Sequence, residues 1–176
     1  NPNTGAGTVS RDILTGDFNE DGATDIAVIS GAFTAADGLS IHLGNKTSGV
    51  PNGSFGAVTF YPFVANSAPY GAAMADYNND GHLDIAVVLR NSAEIRIMQG
   101  SGTGTFADVG TLTILGLSQH AVSGDFNSDG KQDIAVAQTS VNQLGVFLGN
   151  GNSTFQARVD YATAATCLWL VAGHFD

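Results

Sequence analysis

The stretch GDFNEDGATDIAV, residues 16–28, places Asp17, Asn19, Asp21 and Asp25 within nine residues and then turns abruptly apolar. The same pattern recurs as ADYNNDGHLDIAV from Ala75 and as GDFNSDGKQDIAV from Gly124. A carboxylate-rich turn that leads directly into an apolar strand is therefore the building unit of this sequence. Any fold assigned to the chain must accommodate that unit three times.

The three copies are regularly spaced. Asp76 follows Asp17 by 59 residues, and Asp125 follows Asp76 by 49. A further 49 residues lead to His174 in the closing AGHFD, which is similar to the start of the motif. We interpret the whole chain, 1–176, as one region of repeat units at approximately 10–68, 69–117, 118–166 and a partial 167–176. The first unit is longer because residues 30–55 contain an insertion, which we expect to form a loop.

Each unit has the pattern of four short strands. A run before the Asp-rich loop is followed by DIAVIS, DIAVVLR or DIAVAQ, by a third apolar run, by a Gly/Asn/Ser turn that ends in Phe, and by a looser fourth run. Four short strands in about 40–50 residues are typical of a β-propeller blade. We therefore predict an all-β fold with blades of four antiparallel strands. The chain should contain about three blades plus the first strand of a fourth, as part of a larger or assembled propeller.

The Asp-rich loops have the donor set of a calcium site. Counted from the first Asp as position 1, oxygen side chains occupy positions 1, 3, 5 and 9, position 6 is always Gly, and the variable position 7 suits a backbone carbonyl ligand. Ca²⁺ takes six to eight oxygen ligands in flexible geometry, and glycine permits the sharp turn. About three structural Ca²⁺ ions are therefore predicted. The predicted ligands are Asp17, Asn19, Asp21, Ala23 and Asp25; Asp76, Asn78, Asp80, His82 and Asp84; and Asp125, Asn127, Asp129, Lys131 and Asp133, with Ala23, His82 and Lys131 acting through backbone carbonyls.

Other interpretations of the loops fit less well. An EF-hand requires a Glu at position 12 and flanking helices, whereas position 12 here is Val in every copy. Magnesium prefers few protein ligands, and zinc would need Cys or His at ligand spacing. Asx-rich turns can also cap strands without any metal. Without a metal, the three carboxylates within each loop would repel one another, so we favour calcium.

The distribution of charge limits the classes of partner that this chain is expected to bind. The formal net charge is −10, and nine of the 16 acidic residues occupy the loop positions, while the other seven roughly balance six Lys and Arg. No basic stripe exists to neutralise phosphates, so a nucleic-acid partner is not expected. The chain has no apolar run of about 18 residues, so no membrane span is expected. A single Cys excludes an intramolecular disulfide.

These motifs, together with FLGNGNSTF and the closing VAGHFD, resemble the FG-GAP/VCBS repeat family, the blades of integrin-α-type propellers. The resemblance implies a calcium-loaded propeller, usually of seven blades, on a secreted or cell-surface protein, with metal ligands at positions 1, 3, 5, 7 and 9. The fourth motif departs from the family pattern at His174 and stops at Asp176, so no complete site is expected there. The chain is too short for seven blades. It is a fragment, a subunit of a ring or stack, or an open arc.

The expected function is a calcium-stabilised extracellular binding or adhesion module that recognises protein or glycan. The alternatives are a self-assembling surface or filament protein that associates through open blade edges, and the non-catalytic propeller portion of a larger secreted enzyme. No HxH, HExxH or GxSxG pattern occurs, and no catalytic residue is predicted. Lectins that resemble this family make a sugar ligand plausible. The aromatic candidates for sugar stacking are Phe33, Tyr61, Tyr70, Tyr161 and Trp169, and sequons that would matter in a eukaryotic secretory host occur at Asn45, Asn52 and Asn152.

Overall fold

The computed structural model describes residues 9–31 and 37–173. Phe33, His174 and Asp176 lie outside the described residues. All the regular secondary structure within those ranges consists of β-strands. The strands are β1 (Ser10–Gly16), β2 (Asp25–Ser30), β3 (Gly38–His42), β4 (Gly44–Thr47), β5 (Val50–Phe55), β6 (Thr59–Pro62), β7 (Pro69–Ala75), β8 (Asp84–Leu89), β9 (Glu94–Gly100), β10 (Phe106–Thr113), β11 (Ser118–Gly124), β12 (Asp133–Gln138), β13 (Gln143–Phe147) and β14 (Val159–Ala162). None of these residues forms a helix with the length and hydropathy that crossing a membrane requires.

The strands form three four-stranded antiparallel sheets, as predicted for propeller blades. Their orders are β1-β2-β3-β6, β7-β8-β9-β10 and β11-β12-β13-β14, so each sheet is a meander of neighbouring strands. The Asp-rich loop always joins the first strand of a sheet to the second. All-β architecture with blade-like sheets is therefore confirmed, and the three loops occupy equivalent places in the three blades.

The insertion in the first blade is more ordered than expected. The strands β4 and β5 pair as a separate hairpin, with Lys46 opposite Pro51 and Thr47 opposite Val50. Polar side chains join its two strands, because the Asn45 amide donates to Ser54 Oγ at 3.1 Å. The prediction of a simple loop was wrong here, since the polar, turn-rich composition concealed a strand pair that is exposed and needs no apolar face.

We expected residues 167–176 to begin with the first strand of a fourth blade. The described part of this segment does not form that strand. Residues 167–173 run without regular structure. A strand persists only when a neighbour supplies hydrogen bonds to its backbone. No described strand pairs with this segment, which explains why its apolar sequence does not produce a strand.

The core consists of two layers, each lying between adjacent blades. Ala27 and Ile29 of β2 contribute to the first layer with Val87 of β8, whereas Val88 on the opposite face of β8 and Ile134 of β12 contribute to the second. Because the middle blade is covered on both sides, all six residues of β8 are buried. The strand β2 instead alternates between buried and half-buried residues, which shows that one face of the first blade is uncovered by described residues. Cover on both faces accounts for the unbroken apolar run that follows Asp84 in β8.

Adjacent blades contact each other through aromatic side chains next to the Asp-rich loops. Phe18, at position 2 of the first loop, meets Phe106 of the second blade edge to face, with ring centroids 5.5 Å apart. Tyr77, at position 2 of the second loop, meets Phe155 of the third blade in the same way at 5.6 Å. The Phe18 carbonyl also accepts a hydrogen bond from Gly104 N at 2.8 Å. The Gly-rich turn of one blade therefore rests on the Asp-rich loop of the preceding blade.

Candidate metal centre

Each Asp-rich loop makes the same sharp turn. The glycines at position 6, Gly22, Gly81 and Gly130, have φ values of 83°, 91° and 81°. This is the left-handed region, which side-chain-bearing residues rarely adopt, so the invariant glycine of the motif has a conformational cause. The turn brings the side chains of positions 1, 3 and 5 around the backbone amides of positions 5 to 7.

Positions 1 and 3 converge on one backbone amide. Asp21 N donates both to Asp17 Oδ1 at 3.0 Å and to Asn19 Oδ1 at 3.3 Å. The second oxygen of Asp17 accepts from Gly22 N at 2.6 Å. The loops that begin at Asp76 and Asp125 repeat all three bonds, at 2.8–3.2 Å. The oxygens of positions 1 and 3 therefore lie side by side in every copy.

Position 5 bonds to the amide of position 7. Asp21 Oδ1 accepts from Ala23 N at 2.7 Å. Asp80 and Asp129 accept from the corresponding amides at 2.9 and 3.0 Å. These bonds fix the backbone at the position whose carbonyl is the predicted fifth ligand.

Position 9 has a structural function that the sequence analysis missed. The Asp84 side chain is fully buried, and its two oxygens accept from Tyr77 N at 2.9 Å and from Gly100 N at 2.8 Å. Asp25 and Asp133 make the same pair of bonds at 2.7–2.8 Å. Each carboxylate thus ties the start of its loop to a glycine that lies at the end of the third strand or two residues beyond it. The sequence signal for this role is that glycine, namely Gly44, Gly100 or Gly149.

Carboxylates crowd one another in the second loop. Burial raises the pKa of Asp84 to about 6, although its hydrogen bonds from Gly100 and Tyr77 act in the opposite direction. The negative charges of Asp80 and Asp76 raise this pKa further, so both carboxylates are close enough to Asp84 to repel it. A cation beside these side chains would relieve that repulsion.

Lysine ammonium groups stand beside the carboxylates in the other two loops. Lys46 Nζ, from the inserted hairpin, lies 3.3 Å from Asp21 Oδ1, and Lys131 Nζ lies 3.2 Å from Asp129 Oδ2. The bond from Ala23 N lowers the pKa of Asp21, and the Lys46 charge lowers it further. The position-5 carboxylates of these loops therefore attract positive charge.

The loops fit a hard cation in donor chemistry and in charge. Positions 1, 3 and 5 supply only carboxylate and amide oxygens, and an oxygen that accepts one N–H bond retains a second lone pair. Within residues 9–31 and 37–173, no group of three or more His, Cys, Asp or Glu is arranged so that it could hold a metal ion. The loop donor set also relies on Asn side chains and backbone carbonyls, and the position-9 carboxylates accept from the amides of their own blades.

Side chains at positions that are not predicted side-chain ligands join neighbouring loops. His82 Nδ1 contacts Glu20 Oε1, so position 7 of the second loop pairs with position 4 of the first. This contact raises the pKa of His82. Sequence spacing alone gives no signal for the pair, because the two residues are 62 positions apart.

The aromatic candidates for sugar stacking have different surroundings. Tyr61 is part of the packing, because its hydroxyl accepts from Phe106 N at 2.9 Å. Tyr70 faces two arginine side chains. Tyr161 is 54% exposed, and Trp169 is 65% exposed while its ring stacks on His120 at 3.7 Å between centroids. Tyr61 and Tyr70 are thus engaged by neighbouring residues, whereas Tyr161 and Trp169 remain exposed.

The sequence model of a family described as FG-GAP-like repeat matches residues 17–87 and 125–176 of this chain. The two segments contain more than half of the residues of the chain. They include all three Asp-rich loops, and the second segment begins at Asp125, the first residue of the third loop. No curated protein matches the chain.

Proposed function

The chain belongs to the FG-GAP-like repeat family, and from this membership we propose that it is a calcium-stabilised binding or adhesion module that works outside the cell and recognises a protein or a glycan. The single observation that carries the proposal is the threefold repetition of one oxygen-rich loop with the same internal hydrogen bonds. A loop that recurs once per blade at the same place suits a structural ion rather than a reacting centre.

In this proposal, each loop holds its Ca²⁺ with the side chains of positions 1, 3 and 5. Position 7 contributes its backbone carbonyl, and position 9 contributes through whatever lone pairs its two amide bonds leave free. The ion supplies positive charge that neutralises the loop carboxylates. With three ions, the formal charge of the chain would change from −10 to about −4.

Removing a competing ammonium group should strengthen calcium binding. Lys131→Ala takes away the cation beside Asp129, so the third loop should bind Ca²⁺ up to about fivefold more tightly, the range expected for an exposed ion pair. Calorimetric titration of the variant and the unaltered protein measures the change. Arg158→Ala is the matched control, because it removes one positive charge that pairs with Asp160 away from the loops. Equal affinity changes in both variants would contradict a local site at the third loop.

A binding role fits the distribution of contacts. The Asp-rich loop oxygens accept hydrogen bonds from their own backbone amides in all three blades, which suits a scaffold. The connections between strands remain available to contact a partner, as in many binding proteins. A glycan array separates the two ligand classes, because an array without any hit would remove the glycan version and leave a protein partner.

Self-assembly is a second candidate, and a specific pair of residues favours it. Phe126 corresponds to Phe18 and Tyr77 of the other loops, but in the described residues no next-blade Phe covers it, and it is 43% exposed. Phe55 pairs with Gly44 as Phe106 does with Gly100, yet it is also 43% exposed. The two ends of the blade array therefore carry complementary halves of the contact that joins blades, and a second copy of this chain could supply the missing half.

Sedimentation velocity distinguishes the two candidates. Self-assembly predicts that the sedimentation coefficient rises with protein concentration, and that Phe126→Ser returns the chain to a monomer. Val141→Ser is the control, because Val141 is similarly exposed, at 40%, but lies away from the Asp-rich loops. A monomer at every concentration would remove this candidate and leave the binding module.

A further inference from the structure

Two arginines stand out because they have no acidic partner in the part of the chain that the structure describes. The chain has six Lys and Arg, all within the described residues. Four of them pair with carboxylates, namely Lys46, Arg96, Lys131 and Arg158. Neither Arg11 nor Arg90 forms an ion pair with any residue in 9–31 or 37–173. In a chain with a net charge of −10, two unpaired guanidinium groups are unexpected.

These two guanidinium groups share one aromatic ring. The Arg11 Cζ atom lies 4.7 Å from the ring centroid of Tyr70, and the Arg90 Cζ atom lies 5.2 Å from the same centroid. Arg11 comes from the first blade, whereas Tyr70 and Arg90 belong to the second. Two like charges around one ring repel each other, and an anion beside them would offset that repulsion.

The hydrogen-bonding capacity of the pair is mostly unused. Arg11 Nε donates to the Gly31 carbonyl at 3.1 Å, which orients its planar head. Arg90 Nε is buried and has no hydrogen-bond partner among the described residues. A guanidinium group offers five N–H donors in a fork that matches carboxylate and sulfate oxygens. The ring and the Gly31 carbonyl therefore position the pair, and among the described residues the terminal Nη groups of both arginines make no hydrogen bond, which leaves them for a ligand.

The cluster is remote from the Asp-rich loops. Arg11 and Tyr70 are the second residues of β1 and β7, and the loops follow the last residues of those strands. A strand of this length spans about 20 Å at the usual rise per residue. An anion at Arg11 and Arg90 is thus separated from the carboxylates of the Asp-rich loops, and the nearer acids, Asp12 and Asp37, accept hydrogen bonds from Ala72 N and Ala68 N.

We propose that Arg11, Tyr70 and Arg90 form a binding site for the carboxylate or sulfate group of an acidic glycan. The proposal rests on the proposed function as a binding module and names its ligand class. The carboxylate or sulfate is the group that the two guanidinium forks would bind, and the glycan part of the ligand follows from the proposed function.

The test is a titration of the ¹⁵N-labelled 176-residue chain in calcium buffer, followed by the arginine Nε–H resonances. The probes are trigalacturonate, its neutral methyl ester, a sulfated chondroitin tetrasaccharide and triglutamate. The expected result is a saturable shift of the Arg11 and Arg90 signals with an acidic sugar, without a shift at Arg96 or Arg158. The methyl ester should cause none, and comparison of the carboxylated and sulfated probes identifies which anion the site takes.

Variants keep the test specific. Arg90→Gln should weaken binding of the acidic sugar by about tenfold or more, as expected when a charge-assisted hydrogen bond is lost. Arg158→Gln should leave the affinity unchanged. Equal shifts at all four arginines, or none with either acidic sugar, would overturn the proposal, and tighter binding of triglutamate would assign the site to an acidic polypeptide instead. Failure of the calcium function would appear separately, as an unfolding curve that does not respond to EGTA.

Discussion

Replacing Asp84 by alanine should lower the free energy of unfolding by about 3–5 kcal/mol, even when calcium is absent. The side chain is fully buried, and it accepts hydrogen bonds from Tyr77 N and Gly100 N. Alanine leaves both buried amides without an acceptor, and each such loss costs about 1–3 kcal/mol. The loss should also release the end of β9 from the loop that precedes β8.

Urea unfolding in EGTA measures this effect without a contribution from metal. Asp108→Ala is the control, because Asp108 forms a more exposed ion pair with Arg96 and should cost less than about 1 kcal/mol. Asp84→Asn should fall between the two, since its single carbonyl oxygen can accept one of the two amide bonds well. A cost for Asp84→Ala that equals the control, or one that appears only in calcium, would show that position 9 does not act as a backbone tie.

Calcium should stabilise the folded chain by about 2–5 kcal/mol at about 2 mM Ca²⁺ relative to EGTA. Extracellular calcium modules have dissociation constants of about 0.1–1 mM, which gives about 0.6–1.8 kcal/mol per site by mass action. Three equivalent loops then contribute about three times that amount if the unfolded chain does not bind. The physical source is neutralisation of carboxylates such as Asp76 and Asp80, which raise the pKa of Asp84 in the metal-free loop.

Urea unfolding curves in Ca²⁺, in Mg²⁺ at the same concentration and in EGTA measure this stabilisation. Magnesium should stabilise much less, because it requires near-octahedral geometry and gives up its water reluctantly. Coincident curves in all three conditions would remove calcium from the account and leave the Asx-turn interpretation. In that case the loop carboxylates would serve only the hydrogen bonds that they make to Asp21 N, Gly22 N and their counterparts.

The blade architecture could be predicted because the same pattern of strands and Asp-rich loop recurs three times in the sequence. The DIAV segments became the second strands β2, β8 and β12, and the Asp-rich loops precede them in all three blades. Repetition makes such predictions strong, since one interpretation must satisfy every copy. The hairpin of a half-buried β4 and an exposed β5 occurs once and has a turn-rich sequence, so neither repetition nor apolar periodicity indicated it.

The candidate site could be predicted by residue type but not by partner. Position 9 was expected to be a ligand like positions 1, 3 and 5, yet Asp25 is committed to the amides of Phe18 and Gly44. The second amide belongs to a residue 19 positions away, and such a partner depends on how the third strand pairs with the second. The arginine pair at Tyr70 could not be predicted for the same reason, because the sequence does not show which Lys and Arg side chains form no ion pair with a carboxylate.

The number of calcium ions bound per chain bears most directly on the proposed function. Equilibrium dialysis at saturating Ca²⁺, with the metal counted by atomic absorption, should give about three ions per chain. Asp76→Ala, which removes the position-1 ligand of the second loop, should lower that number by one, whereas Asp108→Ala should leave it unchanged. Absence of bound calcium, or a number that Asp76→Ala does not alter, would contradict the assignment of the three loops as calcium sites.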